Sequence, residues 1–129
     1  MERNTRQRHM LKEVFEAAGR PLSPHEALEI AREQLPGMGI ATVYRTLKAF
    51  AEAGWLITVQ IPGEPPRYEV SGKAHHHHFR CRRCMRVYET KGCPGNLKLM
   101  VPNGFRLENH EVILHGLCKP CVNTERKQA

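Results

Sequence analysis

The stretch His75-His76-His77-His78-Phe79-Arg80-Cys81-Arg82-Arg83-Cys84 places four consecutive histidines directly before a Cys-x-x-Cys pair. A second pair with the same spacing, Cys118-Lys119-Pro120-Cys121, lies near the end of the chain. Thiolate and imidazole are the ligands that zinc and other borderline metals prefer. The two pairs, Cys81, Cys84, Cys118 and Cys121, predict one tetrahedral structural zinc site that closes a whole domain. The four histidines are then available as ligands of other metal sites.

The composition of the 129 residues is that of a soluble globular protein, with 26% charged and 40% hydrophobic residues. No hydrophobic run reaches the roughly 18 residues that a membrane helix needs, and the first residues do not form a signal peptide. We therefore expect a cytoplasmic protein with no membrane partner, whose five cysteines stay reduced and bind metal. Redox-active dithiols are the alternative, but no βαβ pattern surrounds either pair.

The net charge of +7 suggests a nucleic-acid partner, but its distribution is uneven. Residues 1–72 contain nine lysines and arginines and nine acids, whereas residues 73–129 contain eleven against four. The whole excess therefore lies in the second half, where a solvated basic surface is the plain explanation. Only a local basic patch can make the first half a DNA binder.

Hydrophobic periodicity and breaker residues in the first half predict three helices and a β-hairpin. The predicted elements are a helix from Thr5 to Gly19, a second from Ser23 to Pro36-Gly37, a third over 40–53, and strands over 55–61 and 67–70. This order is typical of a winged helix-turn-helix, in which the third helix enters the major groove. A small helical domain without DNA contact is the alternative.

The third predicted helix has two distinct faces. Its hydrophobic face is formed by Ile40, Val43, Leu47 and Phe50, and its opposite stripe by Ala41, Tyr44, Arg45 and Lys48. The stripe offers hydrogen-bond donors and an aromatic ring without acids, which suits contacts to bases and phosphates. The first predicted helix adds a cationic patch. The candidate DNA-binding residues are Arg6, Arg8, Lys12, Thr42, Tyr44, Arg45 and Lys48.

The second half follows a short hinge at Ser71-Gly72-Lys73 and is predicted to be a small domain of strands. Its predicted elements are strands over 75–80 and 85–90, at most a short helix over 96–101, and a long strand over 105–115. A domain this small usually needs a metal or a partner subunit for stability. The overall fold class is α/β of the α+β type: a winged helix-turn-helix over 1–72, then a small α/β dimerisation domain over 73–129 with the four-cysteine zinc site.

Side chains on a strand alternate between its two faces. His76 and His78 are therefore expected on one face and His75 and His77 on the other. Each pair is half of a metal site that needs further ligands from elsewhere.

Five motifs occur in order along nearly the whole chain. They are Thr5-Arg6-Gln7-Arg8, the segment Gly39–Leu47, the stretch His75–Cys84, Asn109-His110 and Gly116-Leu117-Cys118. Together they resemble the ferric uptake regulator family, metal-dependent bacterial repressors that bind DNA as dimers. The resemblance implies a homodimer that binds double-stranded operator DNA.

The resemblance also implies two metal sites beside the structural zinc. The regulatory site at the hinge would be formed by Glu69, His76, His78 and Glu89. A histidine of the DNA-binding domain usually completes it, but this chain has Pro21 there, and His25 or His9 is the candidate substitute. The second site would be formed by His75, His77, His110 and an acid after the second strand, where we expect Cys93 instead. A buried hydrophobic thiol is the alternative for Cys93.

We therefore expect a metal-responsive repressor of metal-homeostasis genes that is neither an enzyme nor a binder of small-molecule substrates. The regulatory ion is expected to be Zn2+ first and Fe2+ second, with Mn2+ also compatible with histidine and glutamate ligands. Zinc deaminases and hydrolases need ligand spacings that this chain lacks. A zinc storage or delivery protein, or a peroxide-responsive member of the same family, remains the alternative, although the latter is expected to carry aspartates at positions 69 and 89.

Overall fold

The computed structural model describes residues 2–128, which form four α-helices and two small sheets of the predicted α+β class. The chain divides into two compact units, one up to Lys73 and the other from Ala74 onward. This division falls at the predicted hinge. Over residues 2–128, no helix combines the length and the hydrophobicity that a membrane span requires.

The first unit has the predicted order of three helices and a β-hairpin. Its elements are α1 (Glu2–Ala18), α2 (Pro24–Arg32), α3 (Ile40–Glu52), β1 (Leu56–Val59) and β2 (Arg67–Val70). The predicted second helix was too long, because Glu33 and Gln34 already bond to carbonyls three residues back and close the last turn. Leu22 pairs with Tyr68 through two backbone hydrogen bonds of 2.8 and 2.9 Å, which attaches the start of α2 to the hairpin.

One hydrophobic core holds the three helices and β1 together. Its buried members are Leu11, Val14, Phe15, Leu22, Ala27, Leu28, Ala31, Met38, Val43, Leu47, Phe50 and Leu56. The predicted inner face of α3 is confirmed at Val43, Leu47 and Phe50, while Ile40 is only partly buried. Because that face is committed to the core, the opposite stripe is exposed, with Tyr44 50% accessible.

A nearly buried charge network joins α2 to the hairpin. Glu26 accepts the Ser23 backbone N–H at 3.1 Å, and its own backbone N–H donates to the Ser23 hydroxyl at 3.1 Å, which completes a capping box. Its carboxylate also accepts from Arg20 and from Arg67, each at 2.9 Å. Arg67 reaches Glu64 as well, at 3.3 Å. One carboxylate therefore caps a helix and compensates the positive charges of two arginines.

Glu26→Ala is expected to destabilise the first unit by about 2–4 kcal/mol, because the helix loses its cap and the nearly buried Arg67 loses part of its compensating charge. The free energy of unfolding is measured by denaturant titration with the fluorescence of Trp55, the single tryptophan, which packs against Phe50 at 5.2 Å between ring centres. Glu29→Ala, at an exposed position of the same helix, is the control and should change stability by no more than about 0.5 kcal/mol. Equal losses in both variants would contradict the role of the network.

The second unit consists of a three-stranded sheet, a short 3₁₀ helix and a C-terminal helix. Its elements are β3 (His77–Cys81), β4 (Val87–Thr90), the 3₁₀ helix (Leu97–Met100), β5 (Ile113–Gly116) and α4 (Lys119–Gln128). The strand order is β4-β3-β5, with β3 antiparallel to β4 and parallel to β5.

One sequence expectation for this unit was wrong, and one helix was not predicted. The predicted strand over 105–115 is extended sheet only from Ile113, because β5 pairs with β3 alone and β3 offers a partner only from His78 to Cys81. The residues before Ile113 have no partner strand in the described sheet, and among them Phe105 is 70% exposed. Helix α4 was not expected; it begins directly after Cys118 and has Pro120 in its first turn, where a missing N–H costs nothing.

Candidate functional site

The four thiols of the two Cys-x-x-Cys pairs meet at one point of the second unit. Their sulfur atoms all lie within 4.8 Å of one another, and the Cys84 and Cys118 sulfurs are 3.8 Å apart. A zinc ion with bonds of about 2.3 Å to four sulfurs has tetrahedron edges of about 3.8 Å. The donor set and its spacing therefore fit a structural zinc ion.

The parallel pairing of β5 with β3 explains how the distant pair reaches the first. Cys81 stands opposite Gly116 in the register, so the chain leaves β5 beside the first pair. The Cys118 backbone N–H then donates to the Cys81 sulfur at 3.4 Å. Because α4 starts at once, Cys121 lies one helical turn after Cys118 and on the same side.

The four thiols differ in how readily they ionise. Burial raises the pKa of the Cys81 thiol, but backbone N–H donors of Cys118 and Cys84 outweigh it and lower the pKa to about 5. Burial also opposes ionisation of Cys118, yet the Tyr88 hydroxyl donates to that sulfur and lowers its pKa. Burial, with hydrogen bonds to neighbouring thiols, raises the pKa of Cys121 to about 12. The Cys81 and Cys118 thiols therefore ionise more readily than the Cys121 thiol, and a divalent cation would favour ionisation of all four.

A second cluster gathers three imidazoles and one thiol, all from the second unit. The His75 Nε2 atom lies 3.1 Å from His77 Nε2 and 3.2 Å from His110 Nε2. The Cys93 sulfur lies 2.9 Å from His110 Nε2 and 3.3 Å from His77 Nε2. Nitrogen ligands of a tetrahedral zinc are about 3.3 Å apart. The spacing therefore fits a small divalent ion, and Cys93 is exposed rather than a buried hydrophobic thiol.

His77 differs from the other members of this second cluster, because it is buried on β3. Burial is the main cause of its lowered pKa, with the neighbouring histidines adding to the effect, so the ring is neutral. The Val112 N–H donates to its Nδ1 at 3.2 Å, which places the ring proton on Nε2. Ligation through Nε2 requires that this hydrogen bond be given up.

The other two histidines lie together, as strand parity predicted. The rings of His76 and His78 pack edge to face with their centres 4.9 Å apart. Glu89 stands opposite His78 in the β3–β4 register, and its carboxylate lies 3.9 Å from His76 Nε2. His76 Nδ1 donates to the Ala74 carbonyl at 2.8 Å, which holds the ring with Nε2 toward the Glu89 carboxylate. These three side chains therefore present a histidine and carboxylate donor set.

The remaining predicted ligands lie in the first unit. Glu69 is buried on β2, and Pro21, where the family pattern expects a histidine, is fully buried. His9 is exposed and lies 3.1 Å from the Glu13 carboxylate one turn along α1. His25 packs edge-on against Tyr44, with 6.3 Å between ring centres. Their roles as ligands stay predictions.

The candidate DNA-binding residues form one surface on α1 and α3. Arg45 donates to Thr42 at 3.3 Å, and Tyr44, Lys48, Arg6 and Arg8 are exposed. A groove of about 250 Å³ lies between the two helices. It is lined by Asn4, Gln7, Arg8, Thr42, Arg45, Thr46 and Ala49.

Lys12, the remaining candidate on α1, has a second role in packing. Its ammonium lies 5.5 Å from the ring centre of Phe50 and 5.3 Å from that of Trp55. Contacts of this kind stabilise a cation over an aromatic face. Lys12 thus adds charge to the surface and also links α1 to the end of α3.

The match to known proteins covers most of the residues described above. The family model described as the ferric uptake regulator family matches residues 2–115, which include the first unit and the second unit as far as β5. This chain belongs to the ferric uptake regulator family. Members of the family are transcription regulators and not enzymes, so the chain is a regulator of metal homeostasis.

Relatives within the ferric uptake regulator family differ in the metal they are associated with. A ferric uptake regulation protein of Campylobacter jejuni is 28% identical over 128 residues, covering 95% of this chain and 82% of that protein. A ferric uptake regulator of Francisella tularensis, solved with iron, is 28% identical with a TM-score of 0.70, covering 90% of this chain and 91% of its own. A zinc-bound manganese uptake regulator is 26% identical with a TM-score of 0.77, covering 87% of each chain. Family membership alone does not decide the metal.

Tyr88 is the site residue that sequence reasoning missed. It lies on β4, packs against the buried cysteines and donates to Cys118. Hydrogen bonds to metal ligands fix their orientation and charge. The only signal in the sequence was its place within the predicted strand 85–90, which does not reveal which ligand it faces.

Proposed function

We propose that this chain is a metal-responsive repressor that binds operator DNA as a dimer when its regulatory site is occupied. The observation that carries the proposal is the division of four consecutive histidines between two donor clusters in a chain whose other unit exposes a basic helix surface. A storage protein would need the donor clusters but would have no use for that surface.

The DNA-binding surface of the proposal is local rather than a property of overall charge. The first 72 residues have no net charge, so affinity for DNA must come from the exposed cations on α1 and α3. Arg45 and Tyr44 are at the centre of the α3 stripe and are proposed to contact bases and phosphates. Arg6 and Arg8 are proposed to contact phosphates and to set the position of α3.

The regulatory site is proposed to consist of His76, His78 and Glu89, with Glu69 of the first unit as the further ligand implied by family resemblance. His76 is oriented for this role, because its Nδ1 donates to a backbone carbonyl and its Nε2 lies 3.9 Å from the Glu89 carboxylate. A divalent cation at these residues supplies positive charge and a fixed geometry for its ligands. Zinc is proposed first and iron(II) second, with manganese(II) also compatible.

Regulation follows from linkage between the two binding reactions. If the ligand residues hold the ion more tightly in the DNA-binding form, the ion increases the affinity for DNA. DNA must then increase the affinity for the ion by the same factor. Coupling of this kind typically changes affinity by about 5- to 150-fold. The chain therefore needs only a modest difference in metal affinity to switch operator binding.

The second unit is proposed to form the homodimer. It exposes large hydrophobic side chains, with Leu99 84%, Met100 78% and Phe105 70% accessible. β5 lies at an edge of the described sheet and also exposes Leu114. Exposed hydrophobic side chains and an uncovered strand edge are typical of surfaces that a partner covers.

The proposal is tested by gel shift of the full chain on DNA from upstream of its own coding sequence, with and without Zn2+, Fe2+ or Mn2+. Retardation is expected only when a metal is present. Arg45→Ala should weaken this binding by at least about tenfold, the effect of removing one good base contact. Arg126→Ala removes the same charge from α4 and should leave the affinity within about threefold. Absence of DNA binding under every metal would favour the storage or delivery alternative.

A further inference from the structure

The second cluster differs in chemistry from the regulatory donor set. His76, His78 and Glu89 offer imidazole nitrogens and a carboxylate, which accept a wide range of divalent ions. The second cluster contains no carboxylate and has the Cys93 sulfur within 3.3 Å of two imidazole nitrogens. A thiolate is a soft ligand that suits zinc and cobalt(II) and suits manganese(II) poorly.

The position of Cys93 favours a role as a ligand. It follows β4 in the turn Gly92-Cys93-Pro94-Gly95, where the chain leaves the sheet beside His77. Its side chain is exposed, so no hydrophobic packing explains why the sulfur points toward three histidines. The alternative contact, with the Pro94 carbonyl, is longer at 3.7 Å.

All four members of the cluster lie in the second unit. His77 is the first residue of β3 and His75 lies just before it, while His110 comes from the segment before β5 and Cys93 from the segment after β4. Loading of this cluster therefore depends on the fold of one unit and on no residue of α1, α2 or α3.

We propose that Cys93 is a metal ligand and the specificity-determining residue of a thiophilic site formed with His75, His77 and His110. The site binds Zn2+ or Co2+ in preference to Mn2+. This inference deepens the proposed function, because it assigns the discrimination among metals to a thiolate at a place where the family pattern has an acid. The regulatory set provides the metal response, and the second site makes the chain sensitive to thiophilic ions.

The test uses the full chain with its four-cysteine zinc retained, after a mild chelator has removed weaker ions. Cobalt(II) chloride is titrated in, and the thiolate-to-cobalt charge-transfer absorption is recorded. Because the four-cysteine site stays filled with zinc, this absorption is expected to report Cys93. In a His76→Ala, His78→Ala background, which lacks the regulatory donor set, it should saturate at about one added ion per chain. Cys93→Asp and Cys93→Ser should both lack the band.

The affinities of the second cluster for Zn2+ and Mn2+ are the second part of the test. Zn2+ affinity is measured by competition with a chromophoric chelator, and Mn2+ affinity by the loss of the free-ion electron paramagnetic resonance signal. Cys93→Asp is expected to lower the zinc-to-manganese affinity ratio by at least about tenfold. His110→Ala removes a second ligand and should weaken zinc binding at this site by a similar factor. Retention of the four-cysteine zinc and an unchanged circular dichroism spectrum confirm that each variant folds.

Two outcomes overturn the proposal: a charge-transfer band that persists in Cys93→Asp, or an affinity ratio that stays within about twofold of the unsubstituted chain. Neither depends on DNA. Metal-dependent operator binding with no thiolate band would refute this inference and leave the proposed function intact. A normal band with no operator binding under any metal would refute the proposed function instead.

Discussion

Cys118→Ser is expected to unfold the second unit and to remove its structural zinc. The Cys118 thiol has a lowered pKa and receives the Tyr88 hydrogen bond, so serine replaces a strong ligand with a weak one. Structural zinc contributes about 10–16 kcal/mol of apparent binding free energy in small zinc domains, which exceeds the whole stability of a domain this size. The unit has few other resources, because its buried hydrophobic side chains are scarce.

Zinc content by mass spectrometry and amide hydrogen exchange along β3 measure this loss. The variant should contain about one zinc ion fewer per chain, and β3 should exchange at the rate of unfolded peptide. Trp55 fluorescence should still report a folded first unit, which has its own core. Cys93→Ser is the matched control, since it removes a thiol outside the four-cysteine set. After a mild chelator has removed weaker ions from every sample, it should keep the four-cysteine zinc and the protection of β3. Protection of β3 in Cys118→Ser would show that zinc is not needed for the fold.

The double variant His76→Ala, His78→Ala is expected to abolish the metal dependence of operator binding while the fold remains. His78 lies on β3 and His76 just before it, their rings pack together, and neither belongs to the four-cysteine set. Removing two nitrogen ligands leaves carboxylates alone, and a divalent ion is then held too weakly to favour one form of the chain. The increase in DNA affinity on adding metal, expected at about 5- to 150-fold, should fall to about one.

Titration of operator DNA by fluorescence anisotropy, at fixed salt with and without each metal, measures this coupling. His115→Ala, an exposed histidine on β5, is the control and should keep the full metal response. Zinc content of the double variant should still show the four-cysteine ion. A metal response that survives the double substitution would mean that the regulatory ligands lie elsewhere, with the second cluster the first place to look.

Local patterns predicted the first unit well. The 3.6-residue period of α1 and α3, the capping box at Ser23 and the glycine at position 19 with φ +60 all act within one or two turns of the chain. Such signals are complete in the sequence, because the residues that interact are neighbours along it. The end of α2 was not predicted correctly, since no helix-breaking residue before Pro36 indicates the tighter turn at Glu33.

Long-range arrangement could not be predicted in the same way. The parallel register that sets Cys81 opposite Gly116, the start of α4 and the shortness of β5 all depend on which strand pairs with which. The charge network on Glu26 also joins residues that are 41 positions apart. Neither the pairing of strands nor such a distant contact has a periodic signal.

The sequence by itself determined the ligand types, the parity that separates His76 and His78 from His75 and His77, and the family. These depend on residue identity and on the alternation of side chains along one strand. Only the tertiary structure decided that Cys93 meets His75, His77 and His110, and that His77 Nδ1 accepts a hydrogen bond from the backbone of Val112. The physical reason is that these contacts join segments that are distant along the chain, and their closeness is set by the register of the sheet.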